Sequence, residues 1–459
     1  MERNNIGNKI RFIDLFAGIG GIRLGFEQTA KSLGLDTECV LTSEIKPYAV
    51  SVLKQNYPNE KISGDITKIP TSEIPDFDFL LGGFPCQSFS AAGKRLGFMD
   101  TRGTMFFEIE KILKDKKPFG FILENVEGLV NHYKVDRNAK IGRTLTTIIE
   151  HLEALGYKVN WKLLNSKNFG LAQDRKRVYI VGTKTESPSL DNFKEQRVKL
   201  KSIIESGKPT IKSKFTELLL SHYNIEQLYG KSIKDKRGGA NNIHSWDIEL
   251  KGKVTDEQKK LLNQLFKERR KKRWAEEFGI DWMDGMPLTL QQISTFNNSE
   301  NLQEMLEDLV KKGYLKKEHP KRLVKVTNLL GETKVVRQQD PTLPLGYNIV
   351  SGKLSFEVNK VLCPNEIAPT LVAMDMKKLF VADNDGLRTL TLTEGLKLFG
   401  YPENYKFDVE LDDGYDLLGN TVTVPIVRAV SERILAIWNK DKIKIYEINR
   451  TRSFQQINA

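Results

Sequence analysis

The chain has 459 residues, of which 39% are apolar and 28% are charged, as in folded, water-soluble domains. No run approaches about 18 consecutive apolar residues, so we expect no membrane-spanning helix, and three cysteines without paired spacing exclude a disulfide framework. The formal net charge of +12 indicates a polyanionic partner, or serves solubility alone.

The first 185 residues alternate apolar, strand-like runs with segments of helical periodicity. Strands are predicted at 11–16, 40–43, 77–81, 120–123, 159–164 and 177–181, and helices at 22–33, 48–55, 104–113 and 145–155. This order predicts an α/β fold with a largely parallel, doubly wound sheet. Such sheets bind ligands at the carboxyl ends of their strands.

The first predicted strand runs into a glycine-rich turn, Asp14-Leu15-Phe16-Ala17-Gly18-Ile19-Gly20-Gly21. Glycines at a strand–helix turn let a ligand approach the backbone, so we expect a nucleotide-like cofactor there. Arg23 occupies the third glycine position of the dinucleotide fingerprint, which disfavours a nicotinamide cofactor. Glu44 is placed to bind ribose hydroxyls, and Asp65-Ile66 to hold an amine and cover an aromatic ring. Taken alone, each is more often a simple turn residue.

Three further motifs lie at the ends of predicted strands. Cys86 lies in Gly83-Phe84-Pro85-Cys86-Gln87-Ser88-Phe89, directly after the third strand. A lone cysteine in a loop is more often structural than catalytic, so the motifs that accompany Cys86 must decide between the two roles. Glu124 ends a buried strand, where a carboxylate is paired, hydrogen-bonded or functional. In Gln173-Asp174-Arg175-Lys176-Arg177 the alternating arginines place two guanidiniums on one strand face, able to hold a carboxylate, a phosphate or a carbonyl oxygen.

The composition and the pattern of apolar residues change after residue 185. Residues 186–365 are more charged, and a helical pattern from Gln258 continues into the basic run Lys267–Arg273, either a solvated face or a phosphate-contacting one. Helices at 288–296 and 302–310 precede two strands, 314–317 and 323–326, that pair around His319-Pro320. That order is the outline of a winged helix, or of a small packing subdomain. Predicted as structural rather than functional are His244, Trp246, Trp274 and Trp282.

The last region, 366–459, returns to a structured apolar texture. It contains Leu418-Gly419-Asn420-Thr421-Val422 and a final helix predicted at Pro425–Trp438. These changes in composition divide the chain into three segments, 1–185, 186–365 and 366–459.

These motifs, in this order, resemble those of bacterial DNA (cytosine-C5)-methyltransferases of the restriction–modification type. The resemblance rests on Asp14–Gly21, Gly83–Gln87, Glu124-Asn125-Val126, Gln173–Arg177 and Gly419–Val422. It covers residues 9–185 and 366–440. The resemblance implies a Rossmann-like methyltransferase sheet in a catalytic domain at 1–185. It also implies a variable target-recognition domain at 186–365 and a return segment at 366–459 that completes the catalytic domain.

The resemblance implies a role for each motif. Cys86 would be the nucleophile that attacks cytosine C6, Glu124 would bond in protonated form to N3 and the 4-amino group, and Arg177 would bind O2. Arg175 would support the site or a phosphate, and residues 88–102 would close over a flipped-out base. The residues expected to line the S-adenosyl-L-methionine site are Phe16, Gly18, Gly20, Glu44, Ile45, Asp65, Ile66, Asn420 and Val422. No metal is implied.

The expected partner is double-stranded DNA, bound by a cytoplasmic, nucleoid-associated monomer, with a possible cognate restriction endonuclease acting separately. Two alternatives stay open. A tRNA cytosine-C5 methyltransferase shares the catalytic motifs, although its recognition segment is usually compact. A catalytically silent DNA-binding regulator would use the winged-helix-like segment alone.

Overall fold

The computed structural model describes residues 9–85, 104–134, 139–235, 241–327, 333–350 and 356–457. The chain forms two compact units. The first unit comprises residues 1–205, 363–377 and 390–459, and the second comprises 206–362 and 378–389. The chain therefore leaves the first unit at residue 205, later than the predicted boundary at 185, because 186–205 stays bonded to it. Leu200 N donates to Glu366 O at 2.8 Å, for example.

The first part of the first unit alternates strands and helices, as the periodicity predicts. Its elements are β1 Ile10–Leu15, α1 Gly21–Ser32, β2 Thr37–Ser43, α2 Pro47–Asn56, β3 Ile62–Ser63, β4 Phe79–Gly82, α3 Thr104–Lys116, β5 Gly120–Val126, α4 Arg143–Ala154, β6 Lys158–Asn165 and β7 Lys176–Thr183.

The remaining elements follow in chain order. In the second unit they are α5 Lys214–His222, α6 Ile225–Leu228, β8 Ser232–Ile233, β9 Asn242–Ile243, α7 Asp256–Glu268, α8 Arg273–Glu277, α9 Leu290–Ser294, α10 Leu302–Lys311, β10 Leu315–Glu318, β11 Lys321–Thr327, β12 Thr333–Gln339, β13 Gly346–Ile349, β14 Lys360–Val361, β15 Leu379–Asp383 and β16 Gly386–Thr389. The first unit is then completed by α11 Leu392–Phe399, α12 Leu411–Asn420 and α13 Val424–Ile457.

The first unit is built on one sheet with the strand order β3-β2-β1-β4-β5-β7-β6. Strands β1 to β5 run parallel, and β7 runs antiparallel to both β5 and β6. This confirms the predicted α/β fold with a largely parallel sheet. Because β1, β2, β4 and β5 are parallel, their carboxyl ends meet at one edge, where the predicted motifs begin.

Helices cover both faces of this sheet. On one face, α3 and α4 pack Phe106, Ile109 and Leu145 against the strands, and on the other, α1 and α13 pack Phe26 and Val430. The spacing of buried residues in α4, at Leu145, Ile148 and Leu152, is that of an amphipathic helix. The final helix is longer than the predicted Pro425–Trp438. Among the described residues, no helix combines the length and apolar character that crossing a membrane requires.

The second unit corrects three predictions. Strand β10 pairs with β13, and β11 pairs with β12, so the two strands around His319-Pro320 do not pair with each other. A two-residue hairpin favours residues that adopt positive φ, and His-Pro does not supply them. Helix α7 ends at Glu268, because Arg269 turns inward and donates to Asn348 Oδ1 at 2.7 Å. The side chain of Trp282 is 45% exposed and therefore not a core residue.

His244, Trp246 and Trp274 are buried, as predicted for structural residues. The imidazole of His244 stacks on Trp246 with 4.3 Å between ring centroids and 6° between planes. Trp274 donates from its indole nitrogen to Glu268 O at 2.8 Å. These three side chains thus help to build the apolar core of the second unit.

Candidate active site

The pairing of β5 with β7 brings Glu124 and Arg177 together. Glu124 lies near the end of β5 and Arg177 at the start of the antiparallel β7, and the Glu124 Oε1 to Arg177 Nε distance is 3.1 Å. Both side chains are nearly buried. Burial raises the pKa of Glu124 above its ordinary value, and the charges of Arg177 and then Arg175 act against that rise. A carboxyl that readily takes up a proton beside a fixed cation can act as an acid.

The chain segment that leads to Cys86 runs directly beside Glu124. A Cβ placed on Gly83 would lie 3.5 Å from Glu124 Oε2, and Asn125 Nδ2 donates to Phe84 O at 3.2 Å. Cys86 itself, like residues 88–102, falls outside the described residues. The contacts of Gly83 and Phe84 therefore fix the start of the Gly83–Gln87 motif against the carboxyl group.

Arg175 is buried, and its guanidinium binds backbone rather than solvent. It donates to Leu371 O at 2.8 Å, Gly419 O at 3.0 Å and Thr421 O at 2.8 Å. Burial and the adjacent charge of Arg177 lower the pKa of Arg175 to about 9, so the group remains protonated at neutral pH. Arg175 thus connects the strand that carries Arg177 to the segment that contains Asn420.

The glycine-rich turn after β1 has the backbone geometry that its sequence predicts. Gly18 and Gly20 adopt φ of +55° and +71°, and Phe16 adopts +56°, a conformation rare for a side chain of its size. Glu44 accepts from the backbone N–H of Gly18 at 2.7 Å, and its other oxygen accepts from Ile45 and Lys46 at 2.8 Å. The carboxylate of Glu44 therefore joins the ends of β1 and β2.

An apolar side chain and a second carboxylate lie along the same edge. Ile45 is 70% exposed, although it directly follows a strand of the core sheet. Asp65 accepts from Thr67 N at 3.0 Å and Thr67 Oγ1 at 2.8 Å, bonds that lower its pKa and keep it ionised at neutral pH. Ile66 is buried beneath it. An aromatic ring could lie on Ile45 while Asp65 accepts from its amine.

The return segment closes this edge from the other end of the chain. Val422 is buried against α1, whereas Asn420 is exposed and donates from Nδ2 to Asp416 O at 2.8 Å. Lys46 and Tyr48 both donate to Asp416 Oδ2 at 2.7 Å. Asn420 therefore lies close to the residues that follow β2.

These residues fit an adenosine-containing cofactor. Gly18 leaves open space around its Cα, with no atom within 4 Å of an added Cβ. The carboxylates of Glu44 and Asp65 follow neighbouring strands and offer acceptors for hydroxyls and an amine, and the exposed Ile45 offers an apolar surface. Among the described residues, no cluster of three or more His, Cys, Asp or Glu side chains could hold a metal ion.

Sequence reasoning missed a buried polar cluster beneath the glycine-rich turn. Arg23, considered only as a break in a fingerprint, is buried, bonds to Glu60 and Glu27, and lies 3.5 Å from the Tyr57 ring centroid. Its spacing of four residues from Glu27 was the available signal. Asp14 is 1% exposed, and its Oδ2 has no hydrogen-bond partner among the described residues. Burial raises the pKa of Asp14 to about 8.

Two tyrosines after α11, one of which bonds to the glycine-rich turn, were also missed. Tyr405 donates to Ile19 O, and the Tyr401 hydroxyl bonds to Thr421 Oγ1 at 2.6 Å. The two bonded partners lie 386 and 20 residues from their tyrosines in sequence, so no local sequence pattern could reveal these contacts.

The chain is similar in sequence to proteins of known class. The profile of C-5 cytosine-specific DNA methylases matches residues 10–436. Type II methyltransferase M.NlaIV of Neisseria lactamica is 62% identical over 427 residues, which span 93% of this chain and 99% of that protein. Type II methyltransferase M.BanI of Aneurinibacillus aneurinilyticus is 41% identical over 449 residues, which span 92% of this chain and 95% of that protein.

A solved structure shares the fold. A methyltransferase of Entamoeba histolytica superposes with a TM-score of 0.51 at 15% identity, covering 94% of this chain and 99% of that one.

Proposed function

The chain belongs to the family of C-5 cytosine-specific DNA methylases, and we propose that it methylates one cytosine of a short duplex DNA sequence through a covalent bond between Cys86 and C6. It is a DNA (cytosine-5-)-methyltransferase of the restriction–modification kind. The observation that supports this mechanism best is the Glu124–Arg177 pair, which lies against the backbone that leads to Cys86.

Cys86 would solve the problem that cytosine C5 is a poor nucleophile. Attack of the Cys86 thiolate on C6 forms a carbon–sulfur bond and places electron density on C5. After methylation at C5, loss of the C5 proton and cleavage of the bond to Cys86 restore the aromatic ring. The thiolate leaves as it entered, so the protein is unchanged.

Glu124 and Arg177 would stabilise the charge that this attack creates. A protonated Glu124 can donate to N3 while its other oxygen accepts from the 4-amino group, and its raised pKa favours that state. The guanidinium of Arg177 is a fixed positive charge suited to O2. Their separation of 3.1 Å lets both groups contact neighbouring positions on one edge of a pyrimidine.

The edge formed by Phe16, Gly18, Glu44, Asp65 and Asn420 would hold S-adenosyl-L-methionine. This cofactor supplies an electrophilic methyl group when it is bound. Glu44 and Asp65 would accept from ribose hydroxyls and the adenine amine. Phe16 and the exposed Ile45 would cover the ring, a role predicted for Ile66, whose side chain is buried. Further contacts are assigned to Gly20, Ile66 and Val422.

A base stacked in a duplex cannot reach Cys86, so the target cytosine must rotate out of the helix. Residues 88–102, outside the described part of the chain, would close over it. We propose that the enzyme acts as a monomer in the bacterial cytoplasm, associates with the nucleoid through DNA, and protects that DNA from a separately acting endonuclease.

The test is bisulfite sequencing of mixed-sequence duplex DNA after incubation with the protein and S-adenosyl-L-methionine. Protected cytosines in one short recurring context are expected, and they would also reveal the recognition sequence. Protection of tRNA but not of DNA would instead favour an RNA substrate, and protection of neither would favour a silent regulator.

Matched variants test the residue roles. We expect Cys86→Ser to abolish methylation and to leave duplex binding within about threefold. Glu124→Gln should slow single-turnover methylation by about 100-fold or more, while the exposed neighbour Glu127, changed to Gln, serves as the control. Equal rates for the two glutamate variants would contradict the role of Glu124.

A further inference from the structure

In the second unit, the two-stranded ribbon of β11 and β12 is not packed against an apolar core on either face among the described residues. Strands β11 and β12 form an antiparallel ribbon of seven residue pairs, from Lys321 opposite Gln339 to Thr327 opposite Thr333. Within the described residues, neither strand pairs with any other strand, because β10 and β13 form a separate sheet. A ribbon of two strands has little stability of its own in water.

Both faces of this ribbon expose apolar side chains. Cross-strand partners share a face, so Leu323 and Val335 lie on one face and Val326 and Val336 on the other. Their exposed fractions are 43% for Leu323, 59% for Val335, 41% for Val326 and 37% for Val336. Neither face is covered by the described parts of the chain. Exposed apolar side chains on both faces therefore indicate a partner that contacts the ribbon from both sides.

The charge of the ribbon identifies the kind of partner. Its two strands hold five cations and no Asp or Glu, namely Lys321, Arg322, Lys325, Lys334 and Arg337. At the base, Arg322 pairs with Asp340 at 2.5 Å, and Arg337 donates to Trp282 O at 2.7 Å. Lys325 and Lys334 lie farther along, in the pairs Lys325–Val335 and Val326–Lys334. A surface of this composition repels a second copy of itself and attracts a polyanion.

The dimensions of the ribbon suit duplex DNA. Seven residues of a strand span about 23 Å, and two strands lie about 5 Å apart. The major groove of B-DNA is about 12 Å wide and admits a two-stranded ribbon. A ribbon exposed on both faces can therefore contact both walls of the groove, whereas a flat basic surface reaches one backbone only.

We propose that the β11–β12 ribbon enters a groove of the duplex substrate, with Lys325 contacting a phosphate on its wall. This inference rests on the proposed function, because it assumes that the substrate is duplex DNA. It assigns to one element of the second unit a contact that the catalytic motifs do not provide.

The test is the salt dependence of binding to a 30-base-pair duplex of mixed sequence. Replacing Lys325 with Gln should weaken binding about threefold at moderate salt and lower the slope of log Kd against log salt by about 0.9, for one lost phosphate contact. The control replaces Lys214, an exposed lysine of the same unit, with Gln. This control variant has the same net charge as the ribbon variant, but it should bind DNA like the wild type.

The possible outcomes test the ribbon contact and the proposed function separately. Equal binding by the ribbon variant and the wild type, or equal losses in both variants, overturns the ribbon contact while methylation by the wild type keeps the function. A wild type that neither binds nor methylates duplex DNA overturns both. If light scattering shows that the ribbon variant differs from the wild type in oligomeric state while its DNA binding is unaltered, the partner that covers the ribbon is instead a second copy of the chain.

Discussion

Replacing Asp14 with Asn should make the stability of the first unit less dependent on pH. Burial raises the pKa of Asp14 from its ordinary value of 3.8 to about 8, although the nearby charge of Arg23 acts to lower it. The folded carboxyl therefore keeps its proton over a pH range in which the unfolded chain has lost it. Its contribution to stability is fully present below about pH 4 and is lost as the pH rises to about 8.

The size of the effect follows from the same shift. A tenfold change in an ionisation constant corresponds to about 1.4 kcal/mol, so the wild type should lose ~3 kcal/mol relative to Asp14→Asn between pH 5.5 and pH 8. Asn is nearly the same shape as the protonated acid but cannot ionise. The variant should therefore be the more stable protein at pH 8.

Urea unfolding at several pH values measures this difference. Because the chain forms two compact units, the transition of the first unit should be identified by hydrogen exchange in peptides from β1 and α1. Asp36→Asn, a change at an exposed position near the end of α1, controls for the loss of a carboxylate. A difference between the Asp14 variant and the wild type that stays constant from pH 5.5 to 8 would refute a protonated Asp14.

Three further changes test the site. In the proposed mechanism protonated Glu124 is the donor, so single-turnover methylation should fall as the pH rises through the raised pKa of Glu124, and a rate that keeps rising with pH would contradict this role. Arg175→Lys should weaken S-adenosyl-L-methionine binding in calorimetry about tenfold or more, since one ammonium nitrogen cannot replace the two separated guanidinium nitrogens that bind these carbonyls; unchanged affinity would show that the connection is dispensable. Gly21→Ala should cost about 1–3 kcal/mol in thermal unfolding, because its Cβ would lie 2.5 Å from Tyr401 Oη, whereas Gly64→Ala meets no atom within 4 Å and should be neutral.

The sequence was a good guide where structure depends on neighbours along the chain. The alternation of apolar and helical segments predicted six of the core strands, and the turn after β1 followed from its glycines. It failed at His319-Pro320, where the partner of β10 is β13, about 30 residues farther along. Strand pairing depends on which side chains share a core, and composition alone does not specify this.

The site shows the same division. The motifs predicted that Glu124 and Arg177 belong to one site, and the structure places them 3.1 Å apart. They did not predict that Arg175 would bind three carbonyls of the return segment, which lies about 200 residues away along the chain. A guanidinium that binds backbone and one that binds a ligand look alike in a sequence.

The packing of α13 on α1 has a consequence for synthesis. Thr29 on α1 donates to Arg428 O on α13, a contact between residues 399 positions apart. At about 5–20 residues per second, a ribosome finishes α1 roughly 20–80 s before its partner helix exists. During that interval Phe26 and Ala30 lack the cover of α13, although Cys86, Glu124 and Arg177 are all made in its first half. We therefore expect a chain to stay inactive until translation is nearly complete, and a chain that ends before residue 424 should expose the apolar face of α1 and be bound by chaperones or degraded.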